Sequence, residues 1–326
     1  MQNEIKTLLD ISKDDMEKVN DIIIDNMRSD VPLIPQLAGY LINAGGKRIR
    51  PMLLCVVAGL LNNKSDKAPL FAGCVEFIHT ATLLHDDVID ESDMRRGKET
   101  ANNVWGNQAT VLVGDFLFSR AFQLMAGSNQ TDATQELANA SSRLAEGEIM
   151  QLLTTNNLKT TTDEYIEMIG AKTAVLFSAS CKVGAILAGA DKTTQEKLYK
   201  FGENLGIAFQ MIDDALDYAD DNDQMDKNIG DDFKEGKITM PLLKVLNDGD
   251  TQVKEFLTRT IEKMEQTEDD LQTMLSYIKK YDAIKYTLDS AIKYGELAKE
   301  QLNDLPDGNH KTALIEAVDY AVKRAY

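Results

Sequence analysis

The sequence has no surplus of basic residues and few cysteines, and each shortage excludes a class of protein. Its 326 residues include 35 Lys and Arg against 53 Asp and Glu, which gives a formal net charge of −18. A surface that binds double-stranded nucleic acid needs an excess of basic residues, so we expect no nucleic-acid partner. The three cysteines lack the paired spacing of a zinc site, and an odd count does not favour a disulfide framework. The cysteines are expected to be unpaired core residues of a protein in a reducing compartment, so we expect a cytoplasmic protein.

Long hydrophobic runs are also missing. The longest apolar stretch, Pro51 to Leu61, is too short to span a bilayer. The opening residues, MQNEIKTLLDISKDD, are acidic and lack the apolar segment of a signal peptide. We therefore expect no transmembrane segment. Hydrophobic residues still make up 43% of the chain, which is enough for a substantial core.

Proline is scarce, and none lies between Pro69 and Pro241. That interval is rich in Ala, Leu, Glu, Gln and Met, and it lacks the alternating β-branched runs of strands. Apolar residues recur at three- and four-residue spacing in SRLAEGEIMQLL and EKLYKFGENLGIAFQMIDDALDYA. Short polar turns such as AGSNQTDAT and NNLKTTTDE separate these segments. The pattern predicts an all-α protein made of a bundle of long helices, with one domain over residues 1–326.

Acidic residues are concentrated in LLHDDVIDESDMRRGK, where five fall between Asp86 and Asp93. On a helix, Asp86, Asp87 and Asp90 lie within an arc of roughly 100°. Like charges at this spacing repel, so the arrangement is unfavourable unless cations neutralise it. A solvated helix face is the ordinary explanation of one such run.

The same D-D-x-x-D spacing recurs in FQMIDDALDYADD as Asp213, Asp214 and Asp217. Each copy follows an apolar helical run, which solvated faces do not explain well. Two helices that face each other across a cavity could hold hard divalent cations between these carboxylates. Oxygen ligands suit Mg²⁺, which shares its coordination shell with substrate phosphates. The pattern favours a diphosphate bound through Mg²⁺.

Basic residues stand close to the acidic clusters in sequence. GGKRIRP contains Lys47, Arg48 and Arg50 after two glycines, and MRRGK adds Arg95 and Arg96. Guanidinium groups suit bidentate contacts with phosphate. Surface ion pairs would explain each group alone, but the position beside the acidic clusters favours phosphate binding.

Histidine is rare, and two of the three lie before or beside the first cluster. His79 is two helical turns before Asp86 and so on nearly the same face. A buried packing histidine is an alternative reading of His79. His85 is rotated away from Asp86 and is expected to pack or to support the site indirectly.

Together these motifs resemble the trans-isoprenyl diphosphate synthases, with the strongest likeness to the bacterial octaprenyl group that makes a quinone side chain, as in ubiquinone or menaquinone. The likeness runs through GGKRIRP, EFIHTATLLHDDVIDESDMRRGK, VLVGDFLFSRAF, AEGEIMQL, AKTAVLFSAS, FQMIDDALDY and GDDFKEGKITMPLL. It implies packed helices around a deep central cavity and a homodimer. It also implies that an allylic diphosphate ionises, that isopentenyl diphosphate attacks, and that the product passes to membrane enzymes.

The resemblance also assigns roles to individual residues. The diphosphate of isopentenyl diphosphate would be bound by Lys47, Arg50, His79 and Arg96. The allylic diphosphate would be bound by Arg95, Lys172, Thr173, Gln210, Lys227 and Lys237. Two or three Mg²⁺ ions would be bound directly by Asp86, Asp90 and Asp213, and directly or through water by Asp87, Asp214 and Asp217. The catalytic set would comprise these six aspartates and Lys172. Asp226 departs from the family pattern and places an acidic neighbour beside Lys227.

The residues one helical turn before Asp86 are small. Ala81 and Thr82 lie where the resemblance places the growing hydrocarbon tail, and family members with bulky aromatics there make short products. Ile78 would line the cavity one turn deeper. A small residue is also ordinary in helix packing. With the motifs in place, the sequence predicts a long-chain product.

Other activities fit parts of the pattern. A terpene cyclase has a D-D-x-x-D cluster, but its second metal motif normally carries Asn and Ser or Thr, and it has no need of GGKRIRP. A short-chain farnesyl or geranylgeranyl synthase keeps the same chemistry. A non-catalytic subunit that binds diphosphate would be expected to lose part of an aspartate cluster. A catalytic subunit that needs a second chain stays open.

Overall fold

The structure is a computed structural model that describes residues 5–43, 46–63, 65–95, 97–219 and 229–323. Within these ranges the chain is almost entirely helical, which confirms the predicted all-α class. The helices are α1 Lys6–Asn26, α2 Leu33–Asn43, α3 Ile49–Leu60, α4 Ala68–Ile89, α5 Ala101–Trp105, α6 Asn107–Gly127, α7 Thr131–Thr154, α8 Thr162–Ile169, α9 Val175–Leu187, α10 Lys192–Leu216, α11 Asp231–Lys234, α12 Met240–Asp248, α13 Thr251–Leu257, α14 Asp270–Lys280, α15 Ala283–Glu300 and α16 Asn309–Lys323.

A short β-hairpin and two π-helical turns interrupt this pattern of α-helices in the described part of the chain. Strands β1 Met94–Arg95 and β2 Lys98–Glu99 pair antiparallel after α4, with Met94 opposite Glu99. The turn between them contains Gly97 at φ 70°, a conformation that glycine adopts without strain. Two π-helical turns follow later, at Gly170–Ala174 and Thr258–Glu262.

The chain divides into two compact units. The first contains residues Met1–Ser141, Leu176–Gly202 and Lys299–Val318, and the second contains Ser142–Val175, Glu203–Ala298 and Asp319–Tyr326. The single domain expected over residues 1–326 stays a prediction.

In the first unit, α4 packs against α1, α3 and α6. Its apolar residues are buried almost continuously, so the helix is held by its neighbours on several sides. Gly114 of α6 lies against the His85 ring, where a Cβ would come within 2.4 Å of the imidazole Nε2. This close approach fixes the end of α4 that carries the first acidic cluster.

Helices α1 and α16, far apart in sequence, are joined in this unit. Glu316 of α16 accepts hydrogen bonds from the Thr7 backbone N–H at 2.9 Å and from the Thr7 hydroxyl at 2.6 Å. Helix α1 has no side-chain cap of its own at its start. Glu316 therefore satisfies a backbone donor that the sequence next to α1 leaves open.

The second unit has its own apolar core, built from α8, α10 and the helices after residue 230. Helix α8 begins with a capping box, in which Thr161 and Glu164 satisfy each other's backbone N–H groups. Tyr165, directly after this cap, is fully buried in the core. The start of α8 is thereby fixed in register against α10.

Two segments of the described chain are long and apolar enough to cross a membrane by length and composition. They are Asn107–Gly127 and Thr162–Leu187, and 72% of the apolar window in the second is buried inside the protein. The core helices of proteins without a membrane span pass the same test, so these two segments are weak evidence for membrane-spanning helices. The expected absence of a transmembrane segment stays a prediction.

Candidate active site

The first acidic cluster lies at the C-terminal end of α4, as predicted. Helix α4 ends at Ile89, and the Asp90 backbone N–H donates to the Asp86 carbonyl at 2.8 Å. Asp86 and Asp90, one turn apart, are half-buried, whereas Asp87 is only 1% exposed. Two of the three carboxylates are thus open to a ligand, and the third is directed inward.

Asp87 is bound to a cation of the chain itself. Arg95, on strand β1, contacts Asp87 Oδ1 through Nη2 at 2.6 Å and through Nε at 2.8 Å. The Asp87 Oδ2 atom is buried, and no described residue donates a hydrogen bond to it. Burial raises the pKa of Asp87 above its ordinary value, and the Arg95 charge offsets part of this rise. Arg95, predicted to contact the allylic diphosphate, therefore already has one carboxylate partner.

Two of the residues predicted for isopentenyl diphosphate binding meet in the first unit. Arg50, at the start of α3, contacts His79 of α4 through Nη1 and the imidazole Nε2 at 3.1 Å. A guanidinium only donates hydrogen bonds, so His79 Nε2 must accept and the ring proton sits on Nδ1. The Arg50 guanidinium also stacks 4.2 Å from the centre of the Phe177 ring. These contacts hold Arg50 in one orientation.

The other basic residues of the GGKRIRP and MRRGK segments differ in how the structure describes them. Lys47 is exposed, and Arg96 lies outside the described residues. Arg48 contacts Glu76 at 3.7 Å and Asn20 through its Nη1 atom. It adopts a left-handed backbone at φ 49°, just before α3. Its guanidinium is therefore committed to neighbouring helices.

The second acidic cluster lies at the end of α10 in the second unit. Asp213 is half-buried, while Asp214 and Asp217 are buried. Asp217 accepts from the Asp232 backbone N–H at 3.1 Å through Oδ2, and its carbonyl accepts from the Gly230 N–H at 2.8 Å. Asp217 thereby holds the first turn of α11 against the end of α10.

Asp214 is the most enclosed carboxylate of this cluster. Its Oδ1 accepts from Gln210 Nε2 at 2.7 Å, and its Oδ2 accepts from the Tyr165 hydroxyl at 2.5 Å. Burial, together with the negative charge of Asp232, raises the pKa of Asp214 to about 7. Both oxygens are used within the protein, so Asp214 is better placed to orient neighbours than to face a ligand.

Lys172 and Thr173 lie in the π-helical turn between α8 and α9. Such turns frequently mark functional positions, because they redirect side chains within a helix. Lys172 Nζ pairs with Glu148 of α7 at 2.6 Å, and the Thr173 hydroxyl donates to Gln210 Oε1 at 2.8 Å. The structure therefore brings together Thr173 and Gln210, two residues predicted to act on the same diphosphate.

Two further lysines were predicted to bind the allylic diphosphate. Lys237 pairs with Glu235 at 2.5 Å. Lys227 and its neighbour Asp226 lie outside the described residues.

The predicted chain-length residues lie along α4 below the first cluster. Ala81 and Ile78 are completely buried, and Thr82 is half-buried with its hydroxyl donating to the His79 carbonyl at 2.8 Å. Their order on the helix is as predicted.

The donor set fits a metal that shares its ligands with a substrate. Among the residues that the structure describes, no three His, Cys, Asp or Glu side chains lie close enough to hold a metal ion by themselves. Asp86 and Asp90 nevertheless offer two accessible carboxylates one turn apart, and Asp213 offers a third in its own unit. Mg²⁺ typically takes one or two carboxylates and completes its shell with water and phosphate oxygens.

Sequence reasoning gave no role to Glu148, Tyr165 or Asp232. Glu148 lies within the AEGEIMQL segment, where its charge could have suggested a partner for a nearby lysine. Nothing in the sequence pairs Tyr165 with Asp214, which lies 49 residues further along the chain.

Comparisons with known proteins identify the family of the chain. The polyprenyl synthetase family model matches residues 31–278. Octaprenyl diphosphate synthase of Haemophilus influenzae is 41% identical over 324 residues, which cover 99% of this chain and 97% of that protein.

Two solved structures superimpose closely. The decaprenyl diphosphate synthase of Rhodobacter capsulatus has a TM-score of 0.95 and 43% identity, and 99% of each chain is covered. The polyprenyl synthase of Caulobacter crescentus, complexed with calcium and isoprenyl diphosphate, has a TM-score of 0.95 and 46% identity over 99% of this chain and 98% of that one. The chain therefore belongs to the polyprenyl synthetase family and is a prenyltransferase with that family's all-α fold.

Proposed function

We propose that the protein is a long-chain trans-polyprenyl diphosphate synthase that extends an allylic diphosphate such as farnesyl diphosphate with isopentenyl diphosphate to octaprenyl diphosphate. The observation that carries the proposal is the pair of complete aspartate clusters, each at a helix end with at least one half-buried carboxylate and with basic side chains in the same unit. The similarity to an octaprenyl diphosphate synthase over nearly the whole chain supports the product length. The octaprenyl chain of the product would become the side chain of a quinone.

We assign the metal-binding role first to Asp86, Asp90 and Asp213, the half-buried members of the two clusters. Asp87 and Asp217 would act through water or by holding Arg95 and the start of α11. Two or three Mg²⁺ ions would be bound in each active site, and a divalent cation is also present in the Caulobacter structure. The metal would supply positive charge to the diphosphate oxygens as the leaving group departs.

Basic and polar side chains of the chain would orient the two substrates. Arg50 and His79, with Lys47 and with Arg96 beyond the described residues, would bind the diphosphate of isopentenyl diphosphate. Arg95, Lys172, Gln210 and Lys237, with Lys227 beyond the described residues, would bind the allylic diphosphate, and Thr173, whose hydroxyl proton goes to Gln210, would act by holding Gln210.

Catalysis by these groups requires charge neutralisation, orientation and exclusion of water, and no side-chain nucleophile. The C–O bond of the allylic substrate breaks and diphosphate leaves with the bonding electrons, and the double bond of isopentenyl diphosphate forms a new C–C bond to the allylic carbon. The proton lost from the new chain passes to the departed diphosphate. Lys172, held by Glu148 in a largely buried pair, supplies a fixed positive charge beside the leaving group.

The product length would depend on the α4 face below the first cluster. Ala81 and Thr82 are small, and Ile78 follows one turn deeper, so this face would leave room for a long hydrocarbon tail. A short-chain farnesyl or geranylgeranyl synthase is the alternative that keeps the same site. A catalytic subunit that requires a second chain is the other.

We also propose a cytoplasmic homodimer that passes its product to membrane enzymes. Exposed apolar side chains support an interface. Leu112 of α6 is 66% exposed, and Ile149, Leu152 and Leu153 of α7 are 58%, 60% and 71% exposed on one helical face. Leu152→Glu should shift the mass measured by light scattering from dimer to monomer. A wild-type protein that is already monomeric would contradict the interface.

The test of the proposed function is transfer by the purified protein alone. Labelled isopentenyl diphosphate and farnesyl diphosphate should yield a labelled prenyl product with Mg²⁺, and a chelator should abolish the reaction. A folded sample that binds Mg²⁺ and diphosphate but makes no product would favour the two-chain alternative. Equal turnover with and without a divalent cation would overturn the roles assigned to the aspartate clusters.

A further inference from the structure

A continuous chain of hydrogen bonds joins the core of the second unit to the π-helical turn. The Tyr165 hydroxyl donates to Asp214, Gln210 donates to the other oxygen of Asp214, and Thr173 donates to Gln210. The three distances are 2.5, 2.7 and 2.8 Å. Tyr165 and Thr173 lie on one continuous helical segment formed by α8 and the π-helical turn, and Gln210 and Asp214 lie on α10, so the hydrogen bonds connect two separate backbone segments.

The direction of each bond follows from the chemistry of the groups. In its ionised form Asp214 accepts on both oxygens, and Gln210 presents its NH₂ group to it. The Gln210 carbonyl then faces Thr173, and the Thr173 hydroxyl must donate its single proton to it. The second N–H of the Gln210 amide is left outside this chain of bonds. The orientation of the amide is therefore set by its Asp214 end.

Burial divides the four residues into an inner and an outer pair. Tyr165 is completely buried and Asp214 is 4% exposed, whereas Thr173 and Gln210 are half-buried. Tyr165 packs within the core cluster that also contains Met211 and Met240. It cannot reach a substrate, so any effect it has on substrate binding must pass through Asp214.

We propose that Tyr165 is a positioning residue, which fixes Asp214 so that Gln210 presents an N–H donor, rather than its carbonyl, to the allylic diphosphate. This inference rests on the proposed function and extends it to a residue in the core. Without the Tyr165 hydroxyl, Asp214 loses the donor on Oδ2 and its carboxylate is free to rotate. The Gln210 amide can then turn its oxygen toward the anion, which is repulsive.

The test compares Tyr165→Phe with Tyr277→Phe in the full-length protein. Tyr277 packs against the same core, with its ring 5.3 Å from that of Phe256, and is a matched control for the loss of one hydroxyl. Steady-state kinetics would vary farnesyl diphosphate and isopentenyl diphosphate separately, and thermal unfolding would be recorded for each variant. Tyr165→Phe should raise the KM for the allylic substrate roughly tenfold, the upper range for one lost hydrogen bond, and leave the KM for isopentenyl diphosphate unchanged. Tyr277→Phe should change neither.

A second comparison keeps the inference testable if Tyr165→Phe does not fold. Gln210→Met and Thr173→Val remove the half-buried members and should each raise the same KM. Because they belong to one network, the double variant should be no worse than the more affected single variant. Additive increases of this KM in the double variant would overturn the network. A Tyr165→Phe preparation with a smaller fraction of active enzyme but an unchanged KM for the allylic substrate would overturn it as well. A wild-type protein without prenyl transfer would instead refute the proposed function itself.

Discussion

The contact between Gly147 of α7 and the π-helical turn gives a sharp test of how the site is positioned. A Cβ added at Gly147 would lie 2.4 Å from the Lys172 backbone nitrogen and 2.8 Å from its Cα atom. Ordinary contact begins near 3.4 Å, so Gly147→Ala must displace one segment by about 1 Å. Backbone atoms cannot rotate away as a flexible side chain can. The displacement therefore moves Lys172 and Thr173 together.

The expected result is a roughly hundredfold loss of kcat/KM, because a misplacement of about 1 Å can cost that much in an oriented site. Overpacking should also lower the free energy of unfolding by roughly 1–3 kcal/mol. Gly170→Ala is the matched control, since nothing lies within 4 Å of its added Cβ and its backbone is right-handed helical. Both variants would be assayed for prenyl transfer and by thermal unfolding. A Gly147→Ala enzyme with kcat/KM within about twofold of the wild type would refute this account of Lys172.

Three further predictions follow from the same structure. Asp86→Ala should lower kcat by roughly 10²–10³-fold or more with an unchanged melting temperature, because a metal-binding carboxylate at an accessible helix end is lost; turnover near the wild-type rate would exclude it as a ligand. Ala81→Phe should shorten the product in a mass spectrum without abolishing transfer, and an unchanged product length would show that the tail runs elsewhere. Arg259 holds the pKa of Asp270 below its usual range, so this pair stabilises the protein above about pH 4, and the stabilisation is lost on acidification. Asp270→Asn should flatten that part of the curve of unfolding free energy against pH. An unchanged curve would contradict the pairing.

The helical architecture followed from the sequence because its signals are local. The AGSNQTDAT segment was predicted as a turn, and α6 ends at Gly127 before α7 begins at Thr131. The NNLKTTTDE segment likewise separates α7 from α8, where Thr161 and Glu164 form a capping box. The aspartate clusters could be placed at helix ends for the same reason, since spacing along a helix determines which side chains share a face.

The internal partners of the site could not be read from the sequence, because they depend on packing between distant segments. Asp87 and Asp90 look equivalent in a D-D-x-x-D motif, yet only Asp87 turns inward to meet Arg95. The π-helical turn at Lys172 has no local signature and is accommodated where Gly147 lets α7 approach. The burial of Asp214 beside Tyr165 is likewise a property of the folded core.

The most direct test of the central claim is the mass of the product. Purified protein would be incubated with farnesyl diphosphate, excess isopentenyl diphosphate and Mg²⁺, and the prenyl diphosphates would be sized by mass spectrometry. The account predicts octaprenyl diphosphate as the main final product. Products that stop at geranylgeranyl diphosphate or shorter would keep the chemistry of the aspartate clusters but contradict the long-chain assignment and the role given to Ala81.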